Sequence, residues 1–269
     1  MAYLDRDGLR FNYRSAGDGL PFVFQHGLGS DVAQPFALFA PPSGVRLLSF
    51  DCRGHGETRP LGEADKLTFD AFADDLIALL NGLGVPAAVV GGISMGAGVA
   101  LNAAVRYPDR VRALVLVRPA WLDGPMAART RETYATIAAL IRQHGARRGH
   151  DLFLESAVYR AALDESPAAA ASLLGQFDRP RAEEAVAVLE RLPADAPLRD
   201  LTSLALLTVP TLVLVNRQDP VHPLEYGQQL AAAIPDVRSE EITSKTVSAE
   251  RHIADVRLFV AGFLLPMTH

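Results

Sequence analysis

Gly92-Ile93-Ser94-Met95-Gly96 sets one hydroxyl between two glycines, directly after the apolar run at 87–90. In a G-x-S-x-G turn between strand and helix the serine takes a strained backbone conformation that exposes its oxygen. Glycines on both flanks remove side chains that would collide there. The chemistry open to such a serine is nucleophilic attack on a carbonyl. A hydroxyl at its free pKa attacks poorly, so it needs a base that takes its proton near neutral pH, which points to histidine. Of the seven histidines, His26 and His55 stand in glycine turns, His144 and His150 in a helical stretch, and His269 is terminal. His252 follows the strand-like run 237–243 and a polar loop, and immediately precedes the amphipathic run 253–265. It is the first candidate base, with His222 the alternative.

The third group required is a carboxylate that fixes the imidazole tautomer and stabilises the imidazolium formed during reaction. Asp219, in the stretch TLVLVNRQDPVHP at 211–223, follows an apolar strand directly and so falls on the same sheet edge as Ser94. Asp123, shortly after the run at 113–117, is the alternative. The order Ser94, Asp219, His252 is that of α/β-hydrolases and differs from the two unrelated protease orders.

These residues need a scaffold, and short apolar runs alternating with helical patterns supply an α/β one. The runs at 21–26, 45–50, 87–92, 113–117 and 211–215 read as strands buried on both faces of a mostly parallel sheet. Between them, Thr68 caps a helix with Phe69, Phe72, Leu76, Leu79, Leu80 and Leu83 at helical spacing. Residues 118–204 differ: they are rich in alanine and arginine and lack a convincing strand, with helices expected near 126–144, 150–163 and 181–192. The expected organisation is a core of 1–117 and 205–269 with a helical cap, or lid, at 118–204. A chain of 269 residues can bury roughly three quarters of its unfolded surface, so one large domain needs no staples. Cys52 is the single cysteine, which rules out an internal disulfide and a multi-cysteine metal site and suits a cytoplasmic, reducing setting. No signal peptide or membrane span is legible. A net charge of -5 with both signs interspersed argues against nucleic acid as a partner.

Taken together, QHGLGS at 25–30, DCRGHGET at 51–58, GGISMGAG at 91–98, NRQDPVHP at 216–223 and His252 before the last helix resemble the α/β-hydrolase fold family. The likeness is to its small serine esterases with a helical cap and covers nearly the whole chain. It implies an oxyanion hole built from the backbone N–H groups of Leu28 and Met95. Physics agrees for Met95, because the first N–H groups of a helix are unpaired and its dipole favours anions. Losing such a donor typically slows an enzyme about a hundredfold or more. For DCRGHG the resemblance implies a structural turn, with Asp51, Cys52 and Arg53 as scaffold. Two positions depart from the family pattern: Arg251 precedes His252 where relatives carry glycine, and Asn216 opens the acid loop. Relatives that dehalogenate alkanes or open epoxides use aspartate at the Ser94 position, which disfavours both activities.

The expected activity is hydrolysis of a small apolar ester or lactone through an acyl-enzyme, with Ser94 as nucleophile, His252 as base and Asp219 as its orienting acid. No metal or organic cofactor is called for. Activity is expected to fall below about pH 6 to 7, where an ordinary histidine charges. Trp121, Leu122 and Met126 are the candidate acyl-pocket residues. Tyr134, Phe153, Tyr159 and Phe177 share the same helical segment, and the ARRGH run at 146–150 offers cations to a carboxylate-bearing substrate. Two other functions stay open: carbon–carbon bond hydrolysis of a diketone-like acid, which needs a further cationic group in the pocket, and a slow or non-catalytic ligand receptor.

Overall fold

The computed structural model describes residues 2–268; Met1 and His269 lie outside them. Eight strands form one sheet: β1 (Ala2–Arg6), β2 (Leu9–Ala16), β3 (Leu20–Gln25), β4 (Val45–Phe50), β5 (Ala88–Ile93), β6 (Val111–Val117), β7 (Thr211–Val215) and β8 (Val237–Glu241). Their order is β1-β2-β4-β3-β5-β6-β7-β8. β2 pairs antiparallel with both β1 and β4, and the remaining neighbours, from β4 across to β8, are parallel. The chain leaves β3 toward β4 on one side, then crosses back to β5 on the other. Such a switch point opens a crevice outside the carboxyl ends of the strands, where ligands bind in open α/β sheets.

Alternation along the parallel strands divides the core in two. Phe22, Phe24, Leu47, Val89, Val115 and Leu212 face a layer with α1 (Ala33–Leu38) and α9 (Ala249–Leu264). Val23, Leu48, Val90, Leu114 and Val213 face α2 (Phe69–Gly82), α3 (Met95–Arg106) and α8 (Leu224–Ala233). Side chains that alternate faces explain why these strands are apolar throughout. β1 and β2, which the sequence reading left unassigned, alternate apolar with charged residues at the sheet's edge.

Between β6 and β7 lie α4 (Ala128–Leu154), α5 (Ala157–Glu165), α6 (Pro167–Asp178) and α7 (Ala187–Arg191). The expected break near Gly149 occurs instead at Gly145, whose φ of 74° and ψ of 164° interrupt α4. α6 was not anticipated, and Pro167 opens it at the first helical turn, where a missing N–H costs nothing. These helices bury Tyr134, Ile137, Phe153, Leu173, Phe177 and Val188 in the cluster that also holds α2 and α3.

The DCRGHG turn is packed as scaffold. Arg53 grips Asp75 of α2 through Nε and Nη2 at 2.7 and 2.8 Å, with both side chains almost fully buried. The Asp51 carboxylate accepts from Asn12 Nδ2 and from the backbone N–H of Val32 and Glu57. Burial pushes the Cys52 thiol far above its ordinary value, so it stays protonated.

Candidate active site

Ser94 ends β5 and caps α3 with φ 57° and ψ −114°, a left-handed conformation that strains a residue with a side chain. The turn is as tight as the motif requires. A Cβ on Gly92 would lie 2.3 Å from the Gly96 carbonyl carbon, and one on Gly96 would lie 2.2 Å from the Gln25 oxygen. The Ser94 N–H donates to Val117 O at 2.9 Å, which ties the elbow to the end of β6.

The loop after β3 borders the serine: a Cβ built on Gly27 would sit 3.5 Å from Ser94 Cβ. His26 braces that loop. Its Nε2 accepts from the Cys52 N–H at 3.1 Å, so the proton belongs on Nδ1, which donates to Gly27 O at 2.9 Å. Burial lowers the His26 pKa and keeps the ring neutral. Gln176 of α6 donates from Nε2 to Leu28 O at 3.3 Å, bringing the inserted helices onto the same loop. The Leu28 N–H has no protein acceptor among the described residues, and the Met95 N–H is in the first turn of α3, where helical donors are unpaired.

Asp219 and His252, the expected partners, are both at this edge of the sheet but are not bonded to each other. The Asp219 carboxylate accepts from Arg118 Nη2, and its Oδ1 lies 3.0 Å from His222 Nδ1. Burial alone would raise its pKa, yet His222 and Arg118 hold it well below the ordinary carboxylate range. The carboxylate accepts, so His222 donates to it from Nδ1; Arg118 Nη2 also lies 3.0 Å from that nitrogen, and because a guanidinium only donates this is a contact and not a second bond. The His222 Nε2, buried and without a partner, keeps a free lone pair. Burial, with Arg118 adding to it, lowers the His222 pKa despite Asp219. His252, in the first turn of α9, donates from Nδ1 to Thr243 O at 2.8 Å, and its Nε2 is likewise buried without a partner. Burial and then Arg118 bring its pKa down to about 4. Neither imidazole is hydrogen-bonded to Ser94 among the described residues.

Arg118 is the residue the sequence reading passed over. It is the first residue after β6, with φ 49°, its N–H donates to Leu214 O at 2.8 Å, and it is 7% exposed. The signal was a lone cation closing an apolar strand, at the edge where the serine and acid also end their strands. Asp123, the alternative acid, accepts instead from the Leu201 N–H. The three pocket candidates are buried in the shared cluster. Trp121 packs edge-on against Phe69 at 5.1 Å between ring centroids, Met126 donates its N–H to Pro193 O, and Leu122 lies in the loop between them. Phe153 stacks with Tyr159 and Phe177 inside the inserted helices.

Comparison with known proteins agrees with this architecture. The profile described as the alpha/beta hydrolase fold matches residues 21–245. A 2-hydroxymuconate semialdehyde hydrolase of Pseudomonas putida is 28% identical over 241 residues, covering 86% of this chain and 82% of that protein. A 3-oxoadipate enol-lactonase of Acinetobacter baylyi is 27% identical over 255 residues, covering 91% and 89%. The crystal structure of an enol-lactonase from Burkholderia xenovorans superposes with a TM-score of 0.74 at 25% identity, covering 98% of this chain and all of that one. A serine raised on a strand-to-helix elbow at the switch point of an eight-stranded sheet, with this match along the chain, makes the protein a member of the α/β-hydrolase fold family.

Proposed function

We propose that the protein is a serine hydrolase that cleaves a carboxylic ester or lactone through an acyl-enzyme. The observation that carries this reading is the Ser94 backbone, strained at φ 57° and ψ −114° with helix N–H groups beside it. Strain of this kind costs about 1–3 kcal/mol and persists where function requires it. In the proposed reaction Ser94 Oγ attacks the carbonyl carbon and the oxyanion rests on the Leu28 and Met95 N–H groups. The leaving alcohol takes the proton that the base removed, and water then releases the acid. The named relatives, an enol-lactonase and a semialdehyde hydrolase, support a small-molecule substrate of this kind. Residues 118–204 serve as the cap, and Gln176 on the Leu28 carbonyl is the contact through which it meets the oxyanion loop.

The base is an imidazole stabilised by Asp219. Motif order assigns that role to His252, which is neutral and has a free Nε2. The bond from His222 to Asp219 favours a second assignment, with His222 as base. Electrostatics rank the second above the first. Arg118 and Lys245 oppose an imidazolium at either ring and Asp219 favours one at either, but only His222 has the carboxylate within hydrogen-bond distance, at 3.0 Å, while His252 has a carbonyl on Nδ1. A fluorophosphonate probe tests the nucleophile directly. It should add to Ser94 alone, as read by peptide mass, and labelling elsewhere or none would overturn the reading.

A further inference from the structure

Gln176 stands on the buried side of α6 and is 5% exposed, a position that packing alone fills with an apolar side chain. It carries an amide instead. Nε2 uses both hydrogens, one on Ser172 O a turn back in α6 and one on Leu28 O, each at 3.3 Å. Oε1 is buried with no partner, which destabilises the fold in a way that a leucine would not. What the amide does there is hold the Leu28 carbonyl, which has no other protein donor among the described residues.

That carbonyl belongs to a turn. The Ser30 N–H donates to Gly27 O at 3.1 Å, with Leu28 and Gly29 at the corners and Gly29 at φ 76°, the positive value that one class of such turns requires of its second corner. Because glycine accepts either sign of φ, the peptide between the corners can face either way. Gln176 grips its oxygen and sets the choice. A Cβ built on Gly29 would strike Gln176 Oε1, so the glycine also lets the amide lie against the turn. The core holds the preceding residue: Gly27 donates its N–H to Gln34 Oε1 at 2.7 Å and its carbonyl accepts from His26 Nδ1 at 2.9 Å. The far side of the turn is left to α6, a helix fastened at both ends. At its start Ser166 Oγ accepts from the Ala169 N–H and lies 2.7 Å from Thr246 Oγ1, in the loop that leads into α9 and His252. Beyond its end Arg181 Nη1 donates to Gly56 O and Thr58 O at 3.2 and 2.9 Å. One helix therefore spans from the loop before His252 to the loop beside Ser94.

We propose that Gln176 is a positioning residue for the oxyanion hole: by fixing the peptide between Leu28 and Gly29 it keeps the 27–30 turn in the one form that aims the Leu28 N–H at the developing oxyanion. The residue touches neither substrate nor serine and acts through the turn. Donors of this kind work because they are already aimed before charge develops, so a turn with two forms gives up part of their effect. This inference rests on the serine hydrolase reading for the role of Leu28, but the hold of Gln176 on the turn does not depend on it.

The experiment compares wild type with Gln176→Leu, which keeps the volume and removes the bond, on p-nitrophenyl pentanoate and on its thiono counterpart, in which sulfur replaces the carbonyl oxygen. Sulfur accepts hydrogen bonds weakly, so a fault confined to the oxyanion donors slows the oxygen ester and spares the thiono ester. The variant should lose about tenfold in kcat on the oxygen ester with KM within about twofold, and about twofold or less on the thiono ester. Gln176→Met should behave alike and takes its place if Gln176→Leu does not fold. In parallel, hydrogen exchange read by mass spectrometry should be faster in the 27–30 turn of the variant than of wild type, with α3 unchanged. If wild type cleaves neither ester, the exchange arm decides alone: a faster turn upholds the hold of Gln176 while the hydrolase reading fails. Equal losses on both esters, oxygen-ester turnover equal to wild type, or a turn whose exchange is unchanged overturns the proposal.

Discussion

Asp219 Oδ1 lies 3.0 Å from His222 Nδ1, three residues along one loop. A carboxylate in this position fixes the ring tautomer and points the free Nε2 lone pair away from itself, which is the orienting role a catalytic acid plays. His222→Ala is therefore expected to lower kcat by about a thousandfold on an ester that wild type cleaves, and His252→Ala by less. Steady-state kinetics on both folded variants decides it, and a larger loss at His252 would return the role to the motif-order base.

The pH profile follows from the same surroundings. Burial and Arg118 lower both candidate bases, His252 to about 4, so each stays neutral below the value of a free imidazole. The acid limb of kcat/KM should then lie lower than the fall at about pH 6 to 7 expected of an ordinary histidine. Arg118→Met removes a charge that opposes imidazolium and should move the limb upward. A wild-type limb at 6.5 or above contradicts the burial argument.

Acid should also loosen the fold. His26, His55, His222 and His252 all have folded pKa values below the ordinary 6.5, so below that pH the unfolded chain binds protons the folded one refuses. Stability present above pH 6.5 is lost progressively as pH falls toward the folded values. Thermal melts at pH 8, 6 and 5 should show a Tm falling across the series; a flat Tm would mean these rings are solvated.

How much of this was legible in the sequence depends on the element. The five core strands were readable because both faces are buried and apolar continuity survives. β1 and β2 escaped because their apolar residues alternate with polar ones, as at Arg10, Asn12 and Arg14 of β2. Ser94 was readable because its glycines serve a local backbone need. Arg118 and Gln176 were not, since their contacts reach across 101 and 148 residues. The contact between Asp219 and His222 was not legible for a related reason: it arises from the turn of their own loop, whereas His252 comes from the first turn of α9.

The scaffold ion pair offers a stability test away from the site. Asp75→Asn leaves Arg53 buried with only Asp7 beside it, at 2.9 Å. Breaking a buried pair typically costs about 3–5 kcal/mol, which for a chain this size lowers Tm by roughly 10 °C. A change within a degree or two would show that water enters the turn.

Relief of strain at the elbow gives a signature that separates function from folding. Ser94→Gly should be more stable than wild type by about 1 kcal/mol in denaturant melts, because glycine tolerates a positive φ, while losing activity. Lower stability would mean the hydroxyl supports the turn.

The central claim is that Ser94 is a nucleophile, and hydrolysis of a chain-length series of p-nitrophenyl esters by wild type and Ser94→Ala tests it most directly. The account predicts turnover by wild type and a loss of about a thousandfold or more in the variant, with folding intact. Equal, feeble rates from both proteins would contradict it.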